Sequence, residues 1–193
     1  MTLFPEKHHS TAHSARNTPT PPARGADAPV GRPATPTHAA KPNWDDRGRN
    51  QPLILHFDGG SRGNPGPAGI GLILTDEDGT PLYELAEFLG HHTNNIAEYT
   101  ALLRGLAAAQ ALGASALAVH SDSELLVRQI NDIYKVKNPA LKTLHAQALA
   151  FIRALPNVTV SHVYRQSNTR ADELANLAMD SAGKLEPLGP LPA

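Results

Sequence analysis

Apolar positions between residues 53 and 182 change period several times, and each change marks an element. LILHF (53–57) is a short apolar run of strand length, and AGIGLILT (68–75) is a second. The turn residues DEDG (76–79) lead to PLYELAEFLG (81–90), whose apolar side chains alternate. Two hairpins in succession predict three antiparallel strands. The period then lengthens. NNIAEYTALLRGLAAAQALG (94–113) is rich in Ala and Leu, opens on Asn and stops at a glycine, which predicts a helix. ALAVHS (116–121) returns to strand pattern. SELLVRQIND (123–132) and PALKTLHAQALAFIRAL (139–155) read as helices, NVTVSHVY (157–164) as a strand and RADELANLAMDSA (170–182) as a last helix. The order β-β-β-α-β-α-α-β-α predicts an α/β domain. Its later strands, joined through helices, run parallel, so the sheet is mixed. No internal repeat is visible.

Composition alters this picture mainly at the ends. Residues 1–51 are rich in Pro, Ala, Thr and His and poor in large apolar side chains. They bury too little surface to offset chain entropy and are expected to be disordered. The organisation expected is a tail at 1–51, a folded domain at 52–183 and a flexible end at 184–193. The tail carries seven basic and four acidic residues, the remainder ten basic and fourteen acidic. A mildly basic tail adds at most weak, salt-sensitive affinity for nucleic acid, and a plain solubilising extension is the simpler reading. Its prolines disfavour an amphipathic transit helix. There is no cysteine, hence no disulfide and no thiolate metal site. No apolar run approaches the ~20 residues needed to span a bilayer, and no secretory signal pattern opens the chain. A soluble, cytoplasmic chain acting as a monomer is expected.

Four carboxylates stand where strands end or helices begin: Asp58, Glu98, Asp122 and Asp172. In an open α/β sheet such positions share one edge crevice, and four carboxylates there suit a hard cation such as Mg²⁺ or Mn²⁺. Each also has a plainer role. Glu98 lies three residues after Asn95, and Asp172 three after Thr169, the spacing of a capping box. Asp122 is placed to cap the helix that follows. Asp58 precedes two glycines, as turn residues do. Glu98 alone shares its helical face with small and apolar residues, Leu102, Gly105 and Leu106, where a carboxylate without a partner is costly.

HFDGGSRGNPGPAGIG (56–71) raises a separate question, because a glycine-rich loop can cradle phosphate. It has no Gly-x-Gly-x-x-Gly and no Lys-Ser/Thr after the glycines. Pro65 and Pro67 also lack the backbone donors a phosphate cradle uses.

FDGGSRGNPGPAGIG, TNNIAEYTALLRGL, VHSDSELLVRQI and NTRADELAN, in that order, resemble type 1 ribonuclease H, the ribonuclease HI family, over most of residues 53–180. The resemblance implies a five-stranded mixed sheet of order 3-2-1-4-5 flanked by helices. It implies an endonuclease that cuts the RNA strand of an RNA–DNA hybrid, with a part in removing RNA primers and R-loops. Asp58, Glu98, Asp122 and Asp172 would then hold two Mg²⁺ or Mn²⁺ ions, which together activate a water and stabilise the leaving oxygen. Gly59, Gly60, Ser61, Asn64, Thr93, Asn94 and Asn95 would contact the hybrid, Thr93 and Asn64 near a DNA phosphate. The plainer roles of the asparagines are turn formation and helix capping.

Two departures narrow the resemblance. Many members carry a His or Glu on the loop before the last acid; RQSNTRA (165–171) has neither, so no catalytic His is assigned, and His162 falls within a strand pattern. Many also carry a basic helical protrusion; here only YKVKN (134–138) separates two helices, with Lys135 and Lys137 as weak substitutes. The chain thus resembles the compact subgroup, some of whose members also act on double-stranded RNA. Two other classes of function stay open at this point: another nuclease on the same fold, and a non-catalytic hybrid-binding module.

Overall fold

The computed structural model describes residues 50–181. The expected disordered tail, up to residue 49, and the expected flexible end lie outside the described residues. Five strands form one sheet: β1 (Pro52–Ser61), β2 (Gly66–Thr75), β3 (Pro81–His92), β4 (Ala116–Ser121) and β5 (Val158–His162). Their order is β3-β2-β1-β4-β5. The pairings β1–β2 and β2–β3 are antiparallel, while β1–β4 and β4–β5 are parallel. The mixed sheet is the one expected from the element pattern, and its order is the one implied by the resemblance.

Four helices complete the fold: α1 (Asn94–Ala111), α2 (Glu124–Ile130), α3 (Pro139–Ala154) and α4 (Thr169–Ser181). Helix α1 packs on β1 and β2, and α3 packs on α1. Between them and the sheet lies the main core, with Leu53, Leu55, Phe57, Tyr99, Leu106 and Val119 buried. Helix α4 lies on β2, β1 and β3, over a smaller cluster of Ala86, Leu174 and Ala178. This arrangement follows from the pleat, which sends alternate β1 side chains to opposite faces. Leu53, Leu55 and Phe57 are buried, whereas Ile54, His56 and Asp58 are half-buried. Among the described residues no helix is long and apolar enough to cross a membrane.

Several boundaries move, with consequences for the site. Strand β1 continues to Ser61, so Asp58 lies inside it, opposite Gly71, and not at its end. The ladder continues through the glycines after Asp58: Gly59 pairs with Ile70, Gly60 with Gly69 and Ser61 with Ala68. The cap of α1 is Thr93, whose hydroxyl accepts from the Ile96 amide at 3.4 Å, and not an asparagine. Glu98 therefore sits in the second helical turn. Between β5 and α4 the chain makes a 3-10 turn, Arg165–Ser167, which the sequence pattern did not suggest.

Candidate active site

Strand direction assembles the site. Strands β1, β4 and β5 are mutually parallel, and β3 runs with them through the antiparallel β2. All four finish at the same sheet edge. Asp58 lies near the end of β1, Asp122 directly follows β4, α1 with Glu98 starts after β3, and α4 with Asp172 starts after β5. All four carboxylates line one cleft of about 400 Å³. Gly59, Gly60, Ser61 and Asn94 share its wall, whereas Asn64, Thr93 and Asn95 do not line it. Asn64 accepts from the Asn94 amide at 3.2 Å and so braces the start of α1.

The plainer roles weighed for the acids can now be compared with the contacts. Glu98 makes no capping box with Asn95. Its Oε1 accepts from Asn94 Nδ2 at 2.9 Å and its Oε2 from Ser123 Oγ at 2.7 Å, so it is half-buried but not unpartnered. Asp122 is not a cap: Ser123 holds that position, and Asp122 Oδ1 accepts from Asn168 Nδ2 at 3.0 Å. Asp172 pairs through Oδ1 with the exposed Arg165, and its Oδ2 accepts from Asn176 Nδ2 at 3.2 Å.

Crowding of the acids is visible in their protonation. Burial, then the charges of Asp122 and Asp172, push the Asp58 carboxyl up to about 6, against the pull of the Gly59 amide and Arg165. Burial pushes Glu98 up to about 7, aided by Asp58 and Asp122 and opposed by its bonds from Ser123 and Asn94. Carboxylates so placed bind protons more tightly than usual, and a cation would relieve the same repulsion. Among the described residues no three His, Cys, Asp or Glu side chains by themselves form a group able to hold a metal ion. The donors that line the cleft are carboxylate oxygens, the chemistry that suits a hard cation such as Mg²⁺.

The sequence pattern missed several residues here. Arg62, Ser123, Arg165, Asn176 and Met179 also line the cleft. Arg165 occupies the loop noted for lacking His and Glu, and its guanidinium lies on Asp172. Buried Asn168 was quoted within NTRADELAN but given no role; its neighbours Ser167 and Thr169 are exposed, so no periodic signal marks it.

Comparison with known proteins agrees with this architecture. The Reverse transcriptase-like family matches residues 56–178. A ribonuclease HI of Halobacterium salinarum is 36% identical over 157 residues, covering 81% of this chain and 78% of that protein. The chain belongs to the ribonuclease H family. A bifunctional protein of Mycobacterium tuberculosis is 45% identical over 133 residues, 68% of this chain. The match spans only 36% of that longer relative's length. Among solved structures, an RNase H1 in complex with an RNA/DNA hybrid superposes with a TM-score of 0.65 at 46% identity, covering 67% of this chain and 98% of that one.

Proposed function

We propose that this chain is a ribonuclease H, hydrolysing the RNA strand of an RNA–DNA hybrid, with removal of RNA primers and R-loops as its setting. The observation that carries the reading is the convergence of Asp58, Glu98, Asp122 and Asp172, from four separate elements, in one cleft. A relative at 46% identity was solved with such a hybrid bound. One chain contributes all four acids, so a monomer suffices.

Asp58, Glu98, Asp122 and Asp172 would hold two divalent ions, Mg²⁺ or Mn²⁺. When bound, such ions activate the attacking water and stabilise the leaving oxygen of a phosphodiester. The protein's own groups prepare that site. Ser123 and Asn94 fix both oxygens of Glu98. Arg165 neutralises Asp172. Gly59 lies flush against the α1 backbone at Ala97 and Glu98, where a Cβ has no room. That seats Glu98 beside β1. Gly60 and Ser61 leave the neighbouring wall low, which suits the wide, shallow minor groove where RNA presents its 2′-hydroxyls. Arg62 and Arg165 line the same cleft, each paired with an acid, Asp180 and Asp172 respectively, and would meet phosphates only by exchanging those partners. Asn64, Thr93 and Asn95, outside the wall, would meet the substrate only beyond the cleft's rim, at the start of α1.

The test offers end-labelled RNA–DNA hybrid, double-stranded RNA and double-stranded DNA to the full chain, with Mg²⁺, Mn²⁺ or EDTA, beside Asp122→Asn. Cleavage of the RNA strand of the hybrid, lost in EDTA and in the variant, is expected. An uncut hybrid with both metals would overturn the reading, and cleavage of double-stranded RNA would widen it.

A further inference from the structure

We propose that Asn168 is a positioning residue that registers three of the four acids to one another. Its side chain is 1% exposed. Its Nδ2 donates to the Phe57 carbonyl at 2.9 Å, one residue before Asp58, and to Asp122 Oδ1 at 3.0 Å. Its own carbonyl accepts from the Asp172 amide at 3.1 Å. One residue at the head of α4 therefore touches the strand of Asp58, the side chain of Asp122 and the backbone of Asp172.

The chemistry of the amide fixes its orientation. Both groups facing Nδ2 are acceptors, so a flipped amide would set Oδ1 against two oxygens. The Asn168 Oδ1 interacts with His56 but completes no hydrogen bond of ordinary geometry. Such weak pairing stabilises little, and an apolar side chain of similar size would fill the space as well. What an apolar side chain cannot do is donate twice, and those two bonds orient the Asp122 carboxylate while tying β4's exit to β1. Groups behind metal-binding side chains act in this way, and their loss costs about 10–100-fold in metal affinity or activity.

This inference rests on the ribonuclease H reading, so its test carries one readout independent of cleavage. Asn168→Ala and Asn168→Leu are compared with wild type in the full chain by Mn²⁺ calorimetry, by steady-state cleavage of hybrid and by thermal unfolding. The expected result is Mn²⁺ binding weaker by about tenfold or more and kcat lower by about 10–100-fold, with KM for hybrid within about threefold. Leu74→Ala, a truncation of the fully buried Leu74 in β2, controls for lost stability and should keep kcat. If neither Asn168 variant folds, Asn168→Ser, which retains a donor, is read in the same way. Unchanged Mn²⁺ affinity and kcat in folded Asn168 variants would overturn the proposal. So would a fall in kcat matched by Leu74→Ala, or a loss confined to KM. If the wild-type chain leaves hybrid uncut, the ribonuclease reading fails while the Mn²⁺ comparison still decides the role of Asn168.

Discussion

Replacing Gly71 by alanine tests how closely α4 must sit on the sheet for Asp172 to reach the cleft. Gly71 faces α4 from β2, directly opposite Asp58. A Cβ there would stand 2.6 Å from the Leu174 Cβ, and closer still to the Ala171 carbonyl oxygen and the Ala175 amide. Ordinary contact begins at 3.4 Å. Backbone is among the obstacles, so rotamer changes cannot absorb the conflict, and the helix must retreat by roughly 1 Å. Overpacking of this kind costs about 1–3 kcal/mol. A displacement of about 1 Å in a catalytic group costs about 10²-fold in rate. Single-turnover cleavage of hybrid and thermal unfolding are measured on Gly71→Ala and on Gly79→Ala. Gly79 is a control of a different kind: it has open space around it but a φ of +82°, so alanine costs about 1–2 kcal/mol of backbone strain in a hairpin away from the cleft. The expected outcome is destabilisation in both and a large rate loss in Gly71→Ala alone. Gly71→Ala cleaving within threefold of wild type, or Gly79→Ala losing as much rate, would refute the argument that α4 seating controls Asp172.

Three further outcomes are expected. Asp58 and Glu98 titrate at about 6 and about 7 in the folded chain, above their ordinary values of 3.8 and 4.5. The folded state thus binds protons that the unfolded chain has released. In EDTA, stability should fall by up to a few kcal/mol as pH rises from about 4 through 7. Mg²⁺ should raise the melting temperature more at pH 8 than at pH 5, and a melting temperature in EDTA that is flat or rising over that range would contradict the assignment. Ser123→Ala removes a bond that favours ionised Glu98, so the acidic limb of the cleavage–pH profile should move to higher pH; movement to lower pH would count against it. Deleting residues 1–49 should leave single-turnover cleavage intact and weaken hybrid binding only modestly, and loss of the chemical step would show that this segment serves catalysis.

Much of the fold was legible because it rests on local patterns. Alternation marked β3, the run of Ala and Leu marked α1, and the pattern of 139–155 marked α3, where the Asn138 side chain caps the Ala140 and Leu141 amides. Boundaries that depend on a partner strand were not legible. Glycine is a poor strand former in isolation, yet Gly59 and Gly60 belong to β1 because β2 offers them ladder partners, and at Gly59 the α1 backbone leaves no room for a Cβ. The cap of α1 was misread among Thr93, Asn94 and Asn95 because all three are capable of capping. In the fold it is Thr93 that keeps an extended backbone and accepts from the Ile96 amide.

The candidate site divides in the same way. The sequence alone determined that four carboxylates fall beside strand ends and helix starts, in motifs that resemble one family, because strands, helices and motifs are encoded in neighbouring residues. What those carboxylates touch was decided only by the tertiary structure. Glu98 looked unpartnered until Ser123, 25 residues away, came within hydrogen-bond reach. Asn168 looked like any loop amide until β1, 111 residues earlier in the chain, offered it the Phe57 carbonyl. Protonation follows the same rule: a carboxyl near 6 or 7 requires burial and neighbouring charge, both supplied by elements distant in sequence. Hydrogen bonds and Coulomb forces act through space, and a one-dimensional pattern carries no distances across a fold.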